Sequence, residues 1–184
     1  IMLIVHIIST KDTEEFSAIY KGLDKNTNTI VINPTVRQLK KLIKNETDKI
    51  VFIGHGTEYG LLNQRLDGYI IDSSFVQILR DKTIIGIWCY ASNFADRYNL
   101  NGFFTSMFIS NSFELLDCGF KLFENCDNEI KKQNKLFSER INELLLTNIH
   151  TNEWSTRLNN MLTENEHKFV RYNYEAIYST GLND

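Results

Sequence analysis

Two residues in this chain carry the chemistry of a thiol nucleophile system. His55 stands in Gly54-His55-Gly56, directly after the apolar run Ile50-Val51-Phe52-Ile53. Cys89 follows a second apolar run, Ile84-Ile85-Gly86-Ile87-Trp88. A cysteine thiol with an ordinary pKa of about 8.5 is mostly protonated at neutral pH, and the thiolate is the nucleophile. A nearby imidazole takes that proton and later returns it to the leaving group. Gly56 gives the chain after His55 room to turn and to approach a ligand closely. The backbone N–H groups of Gly56 and Cys89 are then candidate oxyanion donors, each of a kind worth about 10² to 10³ in rate. A helix opening just after Cys89 would favour the thiolate through its N-terminal dipole.

The elements that must position the pair follow from hydrophobic pattern. Residues 2–9, 29–33, 49–53 and 83–88 are β-branched, almost continuously apolar runs, the pattern of strands covered on both faces. Between them, 13–21 carries Phe16, Ile19 and Tyr20 at helical spacing. Pro34 is placed to open a helix whose stripe is Val36, Leu39 and Ile43. Asp72 or Ser73 is placed to cap a helix with Phe75, Val76 and Leu79. Strand and helix alternating in this way predict an α/β fold with a mostly parallel sheet flanked by helices. Parallel sheets place reactive groups at the carboxyl ends of their strands, where His55 and Cys89 both fall. The stretch between them is long enough for one right-handed crossover, so the two strands are expected to be neighbours.

After Cys89, 91–98 reads as a helix, 102–110 as a fifth strand or a helix start, and 112–120 as a helix capped by Ser112. Residues 128–146 form the clearest long helix, and 152–162 another amphipathic segment. Residues 170–178 alternate like a strand only at first. The expectation is one domain over 1–184, with a core over 1–125 and a helical C-terminal extension over 126–184.

Bulk composition narrows the classes. The 184 residues are 42% hydrophobic and 23% charged, which fits an ordinary globular domain. A net charge of −3 gives no electrostatic footprint for nucleic acid or an anionic membrane. The apolar N-terminal run is too short to span a bilayer and lacks the basic flank of a signal peptide. Three cysteines, Cys89, Cys118 and Cys126, form an odd and sparse set. That count predicts free thiols in a reducing, cytoplasmic setting.

In His55-Gly56 after one buried strand, and Cys89 after the next, the chain resembles the caspase-like cysteine peptidases. These include caspases, metacaspases, gingipain, clostripain, separase and CHAT-type domains. The resemblance covers roughly 1–125. It implies a three-layer α/β sandwich, His55 as base, Cys89 as nucleophile, and the Gly56 N–H in the oxyanion hole. It also implies hydrolysis of a protein or peptide substrate through a thioester, with no metal and no cofactor. The chain departs from the family pattern in having Trp88 where a small residue usually precedes the cysteine. Ala91 and Ser92 stand where a glycine usually follows it. Two alternatives stand beside the peptidase: a catalytically inactive caspase-like binding or scaffold module, and a small-molecule-binding doubly wound domain.

Other motifs carry less. Gly56 occupies the place of the serine in a nucleophile elbow, which excludes that motif. Ser9-Thr10-Lys11 lacks the glycines of a phosphate loop and reads as a helix-capping turn. His6, His150 and His167 have no ligand-like spacing, and Cys118 and Cys126 lack a C-x-x-C partner. His6 lies in a core-type strand and is expected to be buried and hydrogen-bonded. Glu58, Asp67, Asp72 and Asp96 are the acidic candidates for receiving a basic substrate side chain.

Overall fold

The computed structural model describes residues 2–45, 49–147 and 149–180. Strand β1 (Met2–His6) leads through α1 (Lys11–Glu15) and a 3-10 turn (Phe16–Tyr20) to β2 (Asn28–Ile32). Helix α2 (Val36–Asn45) precedes β3 (Lys49–Ile53). The short strands β4 (Gly56–Thr57), β5 (Gly60–Leu62) and β6 (Tyr69–Ile71) follow, then α3 (Val76–Leu79) and β7 (Thr83–Ile87). Next come α4 (Ala91–Tyr98), β8 (Asn101–Phe104), α5 (Ser112–Asp117) and α6 (Cys126–Leu145). Helices α7 (Trp154–Asn160) and α8 (Lys168–Glu175) lead to β9 (Tyr178–Thr180).

The main sheet has the order β2-β1-β3-β7-β8-β9. Its first five strands are parallel and β9 runs antiparallel to β8. Successive side chains of a strand point to opposite faces, and the core divides accordingly. Ile4, Val51, Ile53, Ile85, Ile87 and Phe103 face a cluster completed by Phe16, Ile19, α6 and α7. Leu3, Val5, Ile50, Phe52, Ile84 and Phe104 face Leu39, Ile43, Phe75 and Phe94 from α2, the 73–75 turn and α4. The result is helix layer, sheet, helix layer, the α/β arrangement that the strand pattern predicts.

The differences from expectation lie at the ends and in the C-terminal third. The first strand stops at His6, because Thr13 Oγ1 accepts from the Ser9 and Thr10 N–H groups and turns the chain into α1. The cap of α5 is Asn111 rather than Ser112, its side chain accepting from the Glu114 N–H at 2.9 Å. Residues 170–178 split into the end of α8 and the start of β9. The region expected as a helical extension therefore contributes the sixth strand. Its helix α6 also supplies Ile130, Phe137, Ile141 and Leu144 to the same core as β3 and β7. His6 is fully buried, as the strand pattern predicts. Its Nε2 lies 2.7 Å from the Thr13 carbonyl and must donate, so Nδ1 accepts from the Tyr20 hydroxyl at 3.0 Å. Burial of the ring depresses its pKa to about 4, against which the Thr13 bond works.

Candidate active site

Strands β3 and β7 are hydrogen-bonded neighbours in parallel register, with Ile53 opposite Ile87. Their tips deliver His55 and Cys89 to one small cavity of about 20 Å³, whose wall also includes Phe16, Thr105, Phe108 and Ser110. A space of that size holds about one water molecule.

Within the cavity the two side chains have separate partners. The Cys89 thiol donates to the Phe108 carbonyl, with sulfur and oxygen 3.6 Å apart. Among the described residues no hydrogen bond joins it to His55. The residue as a whole is half-buried, but its sulfur is enclosed by packed groups. That enclosure, with the Glu114 charge second, pushes the thiol pKa up to about 12. The dipole of α4 was expected to favour the thiolate; burial outweighs it.

His55 is held from the other side of β3. Its Nε2 lies 2.7 Å from Thr10 Oγ1 and 3.6 Å from Asp12 Oδ2. The Asp12 carboxylate raises the His55 pKa above the ordinary imidazole value, against burial, and Glu114 adds to the rise. Burial works against the charge of Asp12 as well. The groups around it, led by His55 and followed by Thr10, Asn111 and Ser110, prevail and hold its carboxyl below the usual range. Asn111 Nδ2 donates to Asp12 Oδ2 at 3.1 Å. The single Ser110 hydroxyl stands 2.9 Å from both Asp12 Oδ2 and Glu114 Oε2, and the Ser110 N–H donates to Glu114 at 2.7 Å. Burial raises the Glu114 pKa despite those bonds.

Asp12, His55 and Glu114 bring three possible ligand atoms within 4.8 Å of one another. A hard cation there would have to compete with Ser110 and Asn111 for the same carboxylate oxygens, and one imidazole with two carboxylates is a mixed donor set.

Gly56 has a role that sequence reasoning did not assign. A Cβ at that position would lie 2.6 Å from Trp88 Cγ and 2.7 Å from the Gly60 carbonyl oxygen. The indole of Trp88 thus occupies the space that Gly56 leaves open, and its Nε1 donates to the Thr57 carbonyl at 3.1 Å. Trp88 points into the α2–α4 side of the sheet, so Cys89, the next residue, faces the opposite side. A bulky residue before the cysteine is accommodated for this reason. Tyr90 then adopts a left-handed conformation (φ 65°, ψ 23°) that turns the chain into α4. Thr105 Oγ1 fixes the turn by donating to the Trp88 carbonyl at 2.8 Å.

The acidic residues that sequence singled out lie elsewhere. Asp72 caps the 73–75 turn through Ser74. Asp67 pairs with Arg65 at 3.4 Å. Asp96 and Glu58 do not line the cavity. The acids at the site are Asp12 and Glu114, which sequence reasoning passed over. The signal for Asp12 was its place just beyond the tip of β1, the other neighbour of β3. Glu114 had no such signal. It arrives through the 105–111 segment, which α6 and α8 hold: Asn173 bonds both the N–H and C=O of Ile109, and Asn134 Nδ2 donates to the Ser110 carbonyl.

Comparison with protein-family models, with curated proteins and with solved structures finds no match for this chain. No helix among the described residues is long and apolar enough to cross a membrane.

Proposed function

We propose that this protein is a caspase-like cysteine hydrolase acting on a protein or peptide, with its dyad disengaged in the resting form. The observation that carries this reading is that His55 and Cys89 occupy adjacent parallel strand tips and line one cavity. Asp12 adds a third group, which orients the base in the manner of a nucleophile–base–orienter relay. His55 Nε2 is committed to Thr10 and Asp12, so Nδ1 is the nitrogen left to take the thiol proton. Attack requires the Cys89 thiol to leave the Phe108 carbonyl, form its thiolate beside His55, and add to a carbonyl carbon. The imidazolium then protonates the departing amine, and water cleaves the thioester. A backbone donor from Gly56 or Cys89 would face the oxyanion in that arrangement.

A second reading is an inactive caspase-like module. It is favoured by the enclosed thiol, whose pKa of about 12 leaves almost no nucleophile at neutral pH. One experiment separates the two. The protein is treated with peptidyl acyloxymethyl ketones of varied side chain, and adducts are mapped by mass spectrometry. An adduct on Cys89 that His55→Ala slows supports the hydrolase. Modification confined to Cys118 or Cys126, or a Cys89 adduct indifferent to His55→Ala, supports the inactive module.

A further inference from the structure

At the edge of the sheet farthest from β9, β2 pairs only with β1 among the described residues. The direction of its main chain follows from two bonds. The Asn33 N–H donates to the His6 carbonyl at 3.0 Å, while the Ile7 N–H donates to Ile53 of β3 at 2.8 Å. Main-chain groups of successive strand residues point to opposite sides. Thr29, Val31 and Asn33 therefore face β1, and the N–H and C=O groups of Ile30 and Ile32 face outward. Among the described residues none of these four groups has a partner. An edge of this kind is a template for another strand, and proteins usually blunt it with proline, a bulge or charged strand residues. Asn28–Ile32 (NTIVI) has none of these devices, and Ile32 is 45% exposed.

The edge opens on a groove of about 940 Å³, walled by Ile30 and Ile32 on one side and by Ala18 and Leu23 on the other. The groove is preformed. Asn142 Nδ2 of α6 donates to the carbonyls of Ile19 and Lys21 at 2.8 and 3.1 Å, which fixes the opposite wall. The charged side chains lining it are Lys21 and Lys25. The neighbouring Asp24 turns its carboxylate to the Asn26 N–H at 2.9 Å, and Lys21 and Lys25 form no ion pair among the described residues.

We propose that β2 is a docking edge for an extended acidic segment of a protein partner. The segment adds as a seventh strand, its main chain bonding Ile30 and Ile32. Apolar side chains settle on Ile30, Ile32 and Leu23, and carboxylates meet Lys21 and Lys25. Main-chain bonds supply affinity in this mode, and the groove and charges supply specificity. The surface lies outside the His55–Cys89 cavity and stands whether or not that cavity hydrolyses anything.

The test uses a short fluorescein-labelled peptide of alternating valine and threonine with glutamates at both ends, read by fluorescence anisotropy. Saturable binding is expected. Replacing Lys21 and Lys25 together by glutamate weakens it about tenfold or more, and a peptide ending in lysines then binds the doubly substituted protein better than the original. Ile32→Pro removes an outward N–H and no bond to β1, so the fold survives while binding is lost. No saturable binding, or binding that neither Ile32→Pro nor the lysine reversal changes, overturns the proposal. A concentration-dependent dimer in sedimentation that Ile32→Pro disperses would assign the edge to a second copy of this chain, and also overturns it.

Discussion

His55 is the residue on which charge and position meet. Asp12 raises its pKa, so as a base it works in its neutral form only above the ordinary imidazole range. Hydrolysis, or Cys89 alkylation, is expected to rise with pH through that raised value. Asp12→Asn should move the midpoint to lower pH, and the same shift should appear in an NMR titration of the His55 ring. His55 binds its proton more tightly when folded, so its contribution to stability is complete below about pH 6.5. That contribution is lost as pH climbs through the folded-state value. His6 has the opposite sign. Its pKa falls to about 4 on burial, so the fold weakens as pH drops from about 6.5 towards that value, by up to about 1.4 kcal/mol per unit. His6→Phe should flatten this part of the stability–pH curve in urea titrations, whatever its effect on stability at neutral pH.

Among the elements, the 105–111 segment matters most, because it presents the Phe108 carbonyl to Cys89 and Ser110 to both carboxylates. It has no regular structure of its own, and Asn173 of α8 stands in for a strand partner at Ile109. Asn173→Ala leaves a buried N–H and C=O unpaired and should cost about 1–3 kcal/mol in denaturant unfolding. Loosening of the Phe108 carbonyl should also speed Cys89 alkylation at fixed pH. The same segment shows where sequence reading fell short. Strands β1, β3 and β7 are legible because burial on both faces forces apolar runs, and from them the adjacency of His55 and Cys89 follows. A loop held by asparagines from distant helices leaves no periodicity. Glu114, the acceptor for Cys89 and the clasp on Asp12 were therefore invisible, and Asp12 was legible only as a residue near a strand tip.

For the whole molecule, the C-terminal third is not an appendage to the site. Helices α6 and α8 carry Asn134 and Asn173, and β9 closes the sheet, with Thr180 Oγ1 accepting from the Gly102 N–H at 2.9 Å and donating to the Leu100 carbonyl at 3.1 Å. A chain cut after residue 125 loses the Phe137, Ile141 and Trp154 side of the core. It is expected to lack a cooperative unfolding transition by circular dichroism and to leave Cys89 open to rapid alkylation. Apolar runs were enough to foresee an α/β fold with a mostly parallel sheet. They could not foresee that α6 and α8 hold the 105–111 segment against His55, Cys89 and Asp12.

Trp88 lies against two glycines. A Cβ at Gly86 would come within 2.7 Å of its ring, as one at Gly56 would at the other end. The three positions are therefore sterically interdependent. A larger residue at either glycine needs a smaller side chain at Trp88 and a further adjustment beside it, of the Gly60 carbonyl at Gly56 and of the Phe104 ring at Gly86. Gly56→Ala should be strongly destabilising alone and only partly relieved beside Trp88→Ala, because the Gly60 carbonyl still crowds the added methyl; a double-mutant cycle measures the Trp88 share directly.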